Sequence, residues 1–201
     1  GATFIAKSEY NPNYYYPNYS ALNLSKANYV IYSDAFIVKE NSNATILGNV
    51  KPPMFNRDRY RYCSHRHTPF GDGVGTPCVT IGKNGGYIAF NMFTEYATAG
   101  SFIAKETVLK TIDNLLNGEK IISANLPSYA VVTLTEQQNK SRLVMHALSV
   151  CPIKRGDGVE VIEDIVPLYN KTFTIKMNKE IKKVKLVPEN KEIDFSFDGK
   201  K

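Results

Sequence analysis

The chain has 201 residues, of which 43% are hydrophobic and 22% charged, with a net charge of +6. That length can bury a core without disulfide or metal staples, and no apolar run reaches the roughly 18 residues that a membrane helix needs. The basic residues do not form one stripe: the densest groups are Arg57 to Arg66 and Lys176 to Lys185, and the second alternates with apolar residues. A nucleic-acid partner is therefore not expected, and neither is a membrane.

Gly1 to Tyr10 has neither the basic start nor the long apolar run of a secretory leader. A first residue of Gly reads as a processed or cut start. Residues 8–20 mix Pro, Asn and five tyrosines, a composition that cannot hold a helix. They predict an extended arm or loop lying over its own domain. Tyr29 to Lys39 predicts a strand, and Ala44 to Val50 a second one closed by Lys51-Pro-Pro. Cys78 to Ile81 and Tyr87 to Phe93 are short apolar runs, and the Gly82-Lys-Asn-Gly-Gly segment between them predicts a hairpin.

Ser101 to Asn117 predicts a helix capped by Ser101 and ended by Gly118. Its apolar side is Val108, Leu109, Ile112, Leu115 and Leu116, expected to lie against a sheet. After Gly118 the pattern becomes strand-like in Lys120–Asn125, Ala130–Glu136, Arg142–Val150, Val159–Leu168, Thr172–Met177, Ile181–Val187 and Glu192–Phe197. Short strands at this spacing predict an antiparallel sandwich. A boundary falls near 118–120. Asp198-Gly199 after an alternating strand signals a hairpin whose return strand is missing, so the natural protein is expected to continue.

The densest chemistry lies in Phe55 to Gly73, where four arginines, two histidines, one cysteine and two aspartates share nineteen residues. Cys63, His65 and His67 at period two could offer metal ligands, but Ser64 and Thr68-Pro69 favour a turn, and finger or helical spacings are absent. No metal is expected. A Cys-His hydrolase built on Cys63 needs a positioned base, and no nucleophile elbow surrounds this cysteine. Asp72, Glu95, Glu160, Glu163 and Asp164 are the carboxylates a glycosidase pair could draw on, although the last three read as solvated. His146 alternates with Val144 and Leu148 and reads as a core histidine. Cys63, Cys78 and Cys151 are odd in number and read as three buried thiols rather than a disulfide framework. Five Asn-x-Ser/Thr triplets, at Asn18, Asn23, Asn43, Asn139 and Asn170, fit chance in an Asn-rich chain. No nucleotide-binding glycine motif is present, and no cofactor is expected.

Several motifs, in order, resemble one family. They are Tyr29-Val-Ile-Tyr, Ile46-Leu-Gly, Pro53-Met-Phe-Asn-Arg, Tyr62-Cys-Ser-His-Arg-His-Thr-Pro, Tyr87-Ile-Ala-Phe-Asn-Met-Phe-Thr-Glu-Tyr, Leu126-Pro-Ser-Tyr-Ala-Val-Val-Thr-Leu, Arg142-Leu-Val-Met-His-Ala-Leu and Val161-Ile-Glu-Asp-Ile-Val-Pro-Leu. Together they cover about residues 25 to 197. The chain resembles the C-terminal part of large glycoside-hydrolase-like proteins with an N-terminal (β/α) barrel and a β-galactosidase-trimerisation-type domain. The resemblance implies a mixed, β-rich α+β chain: residues 1–118 would be the last part of a flavodoxin-like, amidotransferase-like α/β domain, and 119–201 a small β-sandwich. It also implies that catalytic carboxylates lie in the barrel, outside this chain. A doubly wound domain lacking its early βα units would expose apolar surface, so either self-association covers it or the N-terminal region folds differently from the family.

The expectation is a non-catalytic region with a structural and assembly role that helps shape a carbohydrate site. Arg57, Arg59, Tyr60, Tyr62, His65, Arg66 and His67 are the candidates to contact sugar hydroxyls. Alternatively they buttress an interdomain contact, with Arg57 or Arg59 paired to carboxylates. The expected partners are the rest of the parent chain with its barrel, a second copy of the chain, and carbohydrate. A free-standing carbohydrate-binding module is a second reading, weakened by the absence of tryptophan. A Cys-His hydrolase is a third.

Overall fold

The computed structural model describes residues 1–21 and 24–198. Asn23, which starts one of the triplets, and Gly199 of the turn expected at Asp198-Gly199 fall outside the described residues. Two compact units are formed, Gly1–Gly118 and Glu119–Lys201.

The first unit holds a five-stranded sheet in the order β3-β2-β5-β6-β7, with β2 at Asn13–Pro17, β3 at Tyr29–Ile31, β5 at Thr45–Lys51, β6 at Thr76–Gly82 and β7 at Gly85–Ile88. A two-stranded ribbon pairs β1 (Ala2–Lys7) with β4 (Phe36–Glu40). Two helices follow, α1 at Met92–Ala99 and α2 at Phe102–Leu116. The mixed, β-rich class is therefore what the chain adopts. Every pairing in the large sheet is antiparallel, unlike the parallel sheet of a flavodoxin-like region. The reason is local. The helices come after the strands instead of alternating with them, so no βαβ crossover exists to set neighbours parallel.

The segment 8–20 is not an arm. Its middle is β2, hydrogen-bonded to β3 on one side and β5 on the other. Asn13, Tyr14 and Tyr15 are all buried. Both faces are covered, so the run carries no alternation to mark it as a strand. Tyr15 stacks edge-on against Phe90 at 6.0 Å and sits in the core with Ile31, Leu47, Val79, Ile103 and Ala104. Burial pushes its phenol far above the usual range, with the Cys78 thiol adding to the rise. Gly48 is the neighbour that makes room for this ring.

The strand expected over Tyr29 to Lys39 is broken in two. The backbone N–H of Ser33 donates to Oε1 of Glu95 on α1, and Lys7 pairs with Asp34 at 2.6 Å. The chain thus turns at 33–34 before β4 begins. Glu95 is itself buried. Helix α1 replaces the end of the apolar run expected to stay extended, and Asn91 caps it by accepting from Thr94 N at 3.2 Å.

Helix α2 forms nearly where expected, but of its expected face only Val108 packs against the core. Ile103, Ala104, Thr107 and Thr111 are buried, whereas Leu109, Ile112, Leu115 and Leu116 are exposed. A Cβ added at Gly86 of β7 would lie 2.7 Å from Thr111 Cγ2, so small side chains set the close helix–sheet approach. The two threonines bury without orphaned hydroxyls because each bonds its own i−4 carbonyl, Thr107 to Ile103 O at 2.7 Å and Thr111 to Thr107 O at 2.8 Å. Ser101 stands at the N-cap without a side-chain capping bond, and Asn117 provides the left-handed C-cap.

The second unit consists of four antiparallel ribbons. They pair β8 (Ile122–Ala124) with β13 (Phe173–Ile175), β9 (Val131–Gln137) with β10 (Arg142–Leu148), β11 (Ile153–Arg155) with β12 (Val159–Val161), and β14 (Val184–Leu186) with β15 (Lys191–Ile193). The antiparallel pattern is as expected. The ribbons remain separate two-stranded sheets, and none of the described residues 119–198 is buried. A sandwich core between two facing sheets is therefore not built by these residues. His146 lies exposed on β10 rather than in a core, since no sheet covers that face.

Among the described residues no helix is long and apolar enough to cross a membrane.

Candidate functional site: the 53–70 loop and its cleft

Strand β5 ends at Pro52-Pro53, and the two prolines, having no N–H to offer the ladder, release the chain into a long loop. The loop closes on itself at the base. Met54 N donates to Pro69 O at 2.9 Å and Gly71 N to Pro52 O at 2.8 Å, around a bridge between Pro53 and Phe70. The pinched base and wide tip make an Ω-type loop. It leaves by way of Gly75, whose φ of +77° suits glycine, and a Cβ there would lie 2.9 Å from the carbonyl carbon of Val50.

The sheet buttresses this base. Tyr14 of β2 donates its hydroxyl to Thr68 O and packs edge-on against Phe70 at 5.7 Å. Burial raises the Tyr14 phenol above its ordinary value, and the neighbouring Cys63 and Tyr32 raise it further. Lys51 Nζ lies over the Phe70 ring at 5.5 Å.

Arg57 clamps the loop tip. Its Nη1 donates to the carbonyls of His65 at 3.1 Å and Arg66 at 2.8 Å, and its guanidinium lies 5.3 Å from the Tyr62 ring centre. A planar donor fork suits this double task. Among the described residues the expected pairing of Arg57 or Arg59 with a carboxylate is not found. Asp58 instead engages Arg61, with Nε at 3.2 Å, and accepts from the backbone N–H of Tyr60 at 2.7 Å and Arg61 at 2.8 Å. Arg59 stacks on Tyr60 at 4.6 Å and donates to its hydroxyl.

The two backbone N–H donors, first Tyr60 and then Arg61, hold the Asp58 carboxyl below its ordinary value of 3.8. A depressed folded value means that the carboxylate supports the turn fully above the ordinary value, and that the support fades as pH falls through the folded one. The Tyr60 and Arg61 amide proton shifts should therefore titrate with a midpoint below 3.8, and Asp58→Asn should abolish that titration. A midpoint above the ordinary value would contradict the arrangement.

The loop meets two other segments. Asn56 Nδ2 donates to Glu9 O at 2.8 Å, Asn11 N donates to Asn56 Oδ1 at 3.4 Å, and Asn11 Nδ2 donates to Tyr32 O at 3.0 Å. His67 Nε2 lies 3.1 Å from the Tyr32 hydroxyl. Between these segments is a cleft of about 360 Å³, lined by Glu9, Asn11, Pro12, Pro53, Phe55, Asn56, Arg57, Arg66, His67 and Thr68. Of the seven candidates, Arg57, Arg66 and His67 line this cleft. Arg59, Tyr60, Tyr62 and His65 stand exposed on the loop outside its lining. Glu9, Asn11 and Asn56 were not foreseen as site residues. The only sequence signal for them was the Asn- and Pro-rich composition of 9–12 and 53–56.

Such a cleft offers amide, guanidinium and imidazole hydrogen-bonding groups beside exposed aromatic faces, which is chemistry suited to polyhydroxylated ligands. It does not offer a nucleophile. The Cys63 thiol faces His65 O at 3.5 Å and Thr68 Oγ1 at 3.9 Å, while the His67 ring is engaged by Tyr32. Among the described residues no group of three or more His, Cys, Asp or Glu is placed to hold a metal ion. Two of the five candidate carboxylates are engaged: Glu95 accepts from Ser33 N through Oε1, while its Oε2 is buried without a partner, and Glu163 takes a double contact from Arg155 at 2.8 and 2.7 Å.

The three cysteines are free, but only Cys78 is buried, so the expectation of three buried thiols is corrected for Cys63 and Cys151. Burial pushes the Cys78 thiol well above its ordinary value, and it donates to Gly48 O at 3.3 Å. Ellman titration of the native chain should modify Cys63 and Cys151 and spare Cys78 until denaturant is added. Three equally fast thiols would show that the core is open.

The chain is similar to part of one solved structure, α-L-fucosidase isoenzyme 2 from Paenibacillus thiaminolyticus. The TM-score is 0.92 and the identity 36%, over 99% of this chain and 30% of that one. This chain therefore spans about a third of the length of the protein it matches. No family model matches it, and no curated protein does. At this identity and coverage, both units have their counterpart within a chain named as a glycoside hydrolase.

Proposed function

We propose that this chain is a non-catalytic, supporting region of a glycoside hydrolase, and that its 53–70 loop borders a carbohydrate site whose catalytic carboxylates lie elsewhere in the protein. The observation that carries this reading is the likeness of nearly the whole chain to under a third of an α-L-fucosidase. The burial of Glu95 and the double contact of Arg155 on Glu163 support the non-catalytic part. The loop supports the carbohydrate part. Its base is fixed to the sheet through Tyr14 and Thr68, while its tip presents Tyr60 and Tyr62 at 78% and 72% exposure. A pre-set base with a polar, aromatic tip loses little entropy on meeting a ligand. The trimerisation-like domain type implied by the family resemblance belongs to this same reading, as does an assembly role.

The test uses two proteins, the 201-residue chain and the longer polypeptide that carries it. The chain alone should hydrolyse no nitrophenyl glycoside, α-L-fucoside and β-galactoside included, while the longer polypeptide turns one over. Calorimetric titration should detect no monosaccharide binding by the chain alone below millimolar concentration. Sub-millimolar binding there would favour a free-standing binding module instead.

A further inference from the structure

The loop at 53–70 is set apart by its choice of cation. The chain takes most of its positive charge from lysine, with nineteen lysines and six arginines. Yet four of the arginines fall between Arg57 and Arg66, and no lysine lies between Lys51 and Lys83. A solvated basic face needs only charge, which lysine supplies as a compact, strongly hydrated point. Arginine adds a rigid planar fork that matches a pair of anionic oxygens.

Two of the four guanidiniums are engaged at the loop tip. Arg61 pairs with Asp58 at 3.2 Å, and Arg59 stacks on Tyr60. The other two, Arg57 and Arg66, line the cleft. Arg57 donates through Nη1 to the carbonyls of His65 and Arg66, and its Nε and Nη2 have no partner among the described residues. The Arg66 guanidinium makes no hydrogen bond or ion pair among them either.

Against these two positive charges the cleft lining holds one acid, Glu9. Its carboxylate is not part of the frame, because it is the Glu9 backbone carbonyl that accepts Asn56 Nδ2. The walls are already joined: Asn11 bonds both Asn56 and the Tyr32 carbonyl, and the Tyr32 hydroxyl meets His67. A ligand therefore meets a formed cleft of about 360 Å³, near the lower end of what small-ligand sites enclose.

We propose that this cleft binds an acidic saccharide, one carrying a carboxylate or a sulfate ester, with Arg66 and the free edge of Arg57 on the anionic group. The proposal rests on the reading of the loop as the border of a carbohydrate site and adds the charge of the sugar. A nucleic acid would bring similar charge, but repeated along a strand, and these cations gather in one loop instead of forming a stripe.

The experiment presents the longer polypeptide to an array of oligosaccharides in matched pairs, each uronate or sulfate ester beside its neutral counterpart. The tightest pair is then titrated by calorimetry. The acidic member should bind at least about fivefold tighter, and the preference should shrink as salt rises. Whether uronates or sulfate esters lead tells which anion the cleft takes. Arg66→Gln should remove most of the preference. Glu9→Gln should tighten acidic binding by about two- to threefold, since it deletes the one opposing charge; a purely structural role for the cleft residues would not produce that gain. Equal affinity within the pairs, weaker binding in Glu9→Gln, or no binding of any member at about 10 mM would each overturn the proposal. So would displacement of the acidic sugar by an equal concentration of inorganic sulfate, or tighter binding of a single-stranded oligonucleotide. Loss of the underlying reading is a separate result, seen as absence of glycosidase turnover by the longer polypeptide with its sequence unaltered.

Discussion

Gly48→Ala lowers the stability of the first unit by about 3 kcal/mol, at the upper end of what overpacking usually costs. The added Cβ would lie 2.6 Å from Cζ of Tyr15, with Cε2 and the hydroxyl closer still. Tyr15 cannot swing away, because it is fully buried between Phe90, the sheet and α2. The backbone cannot move easily either: Gly48 pairs with Pro17 on β2, with Val79 on β6, and accepts the Cys78 thiol. The cost should shrink sharply in a Tyr15→Leu background, where the ring is gone. A double-mutant cycle on urea midpoints measures this coupling. If Gly48→Ala costs the same in both backgrounds, the ring is not what glycine makes room for. Tyr15→Phe is the companion control. The Tyr15 hydroxyl makes no hydrogen bond of ordinary geometry although the Thr107 and Tyr19 hydroxyls act on it, so its removal should cost less than about 1 kcal/mol.

Amide exchange should divide the chain at Gly118. Residues of β2, β5 and β6 lie in a ladder whose core side chains are buried, so their amides open only with the whole unit. The ribbons after Glu119 have no buried residue among those described, and a two-stranded sheet is at best marginally stable alone. Exchange there should be about a thousandfold faster or more, the factor that a gap of ~4 kcal/mol implies. Mass-spectrometric exchange on peptides spanning β5–β6 and β9–β10 reads this directly. Equal protection on the two sides would mean that the second unit has a core after all. The same measurement in the longer polypeptide should raise protection in the second unit wherever its exposed apolar residues, such as Leu148, Ile165 and Val187, become covered.

Much of the fold could be read from residue pattern, and the failures have identifiable causes. The β6–β7 hairpin was visible because Lys83-Asn84 is a turn fixed by glycines on both sides. Helix α2 was visible because its period is strong. Its packing face was not, since most of the leucines that announce the helix are exposed while threonines, normally a surface signal, line the contact. The β2 segment was hidden by being covered on both faces: Tyr14-Tyr15-Tyr16 shows no alternation, and Pro17 argues for a loop. The break at Ser33 depends on Glu95, sixty-two residues away, and no local pattern encodes a contact of that separation.

The loop at 53–70 was found from its composition alone, because density of Arg, His and Tyr is a property of the string. The roles within it were not. Arg57 looked like a partner for a carboxylate and is instead a clamp on two backbone carbonyls. Which residues share the cleft is set by the return of 9–12 across the sheet. That return follows from the position of β2, the element the pattern hid.

The central claim is that catalysis by the protein containing this chain is supplied from outside these residues, while the loop acts on substrate contact. Turnover of nitrophenyl α-L-fucoside and related glycosides by the 201-residue chain, beside the longer polypeptide and its Tyr62→Ala variant, tests this most directly. The account predicts no turnover by the chain alone, turnover by the longer polypeptide, and a raised KM in the variant. Hydrolysis by the isolated chain would contradict it.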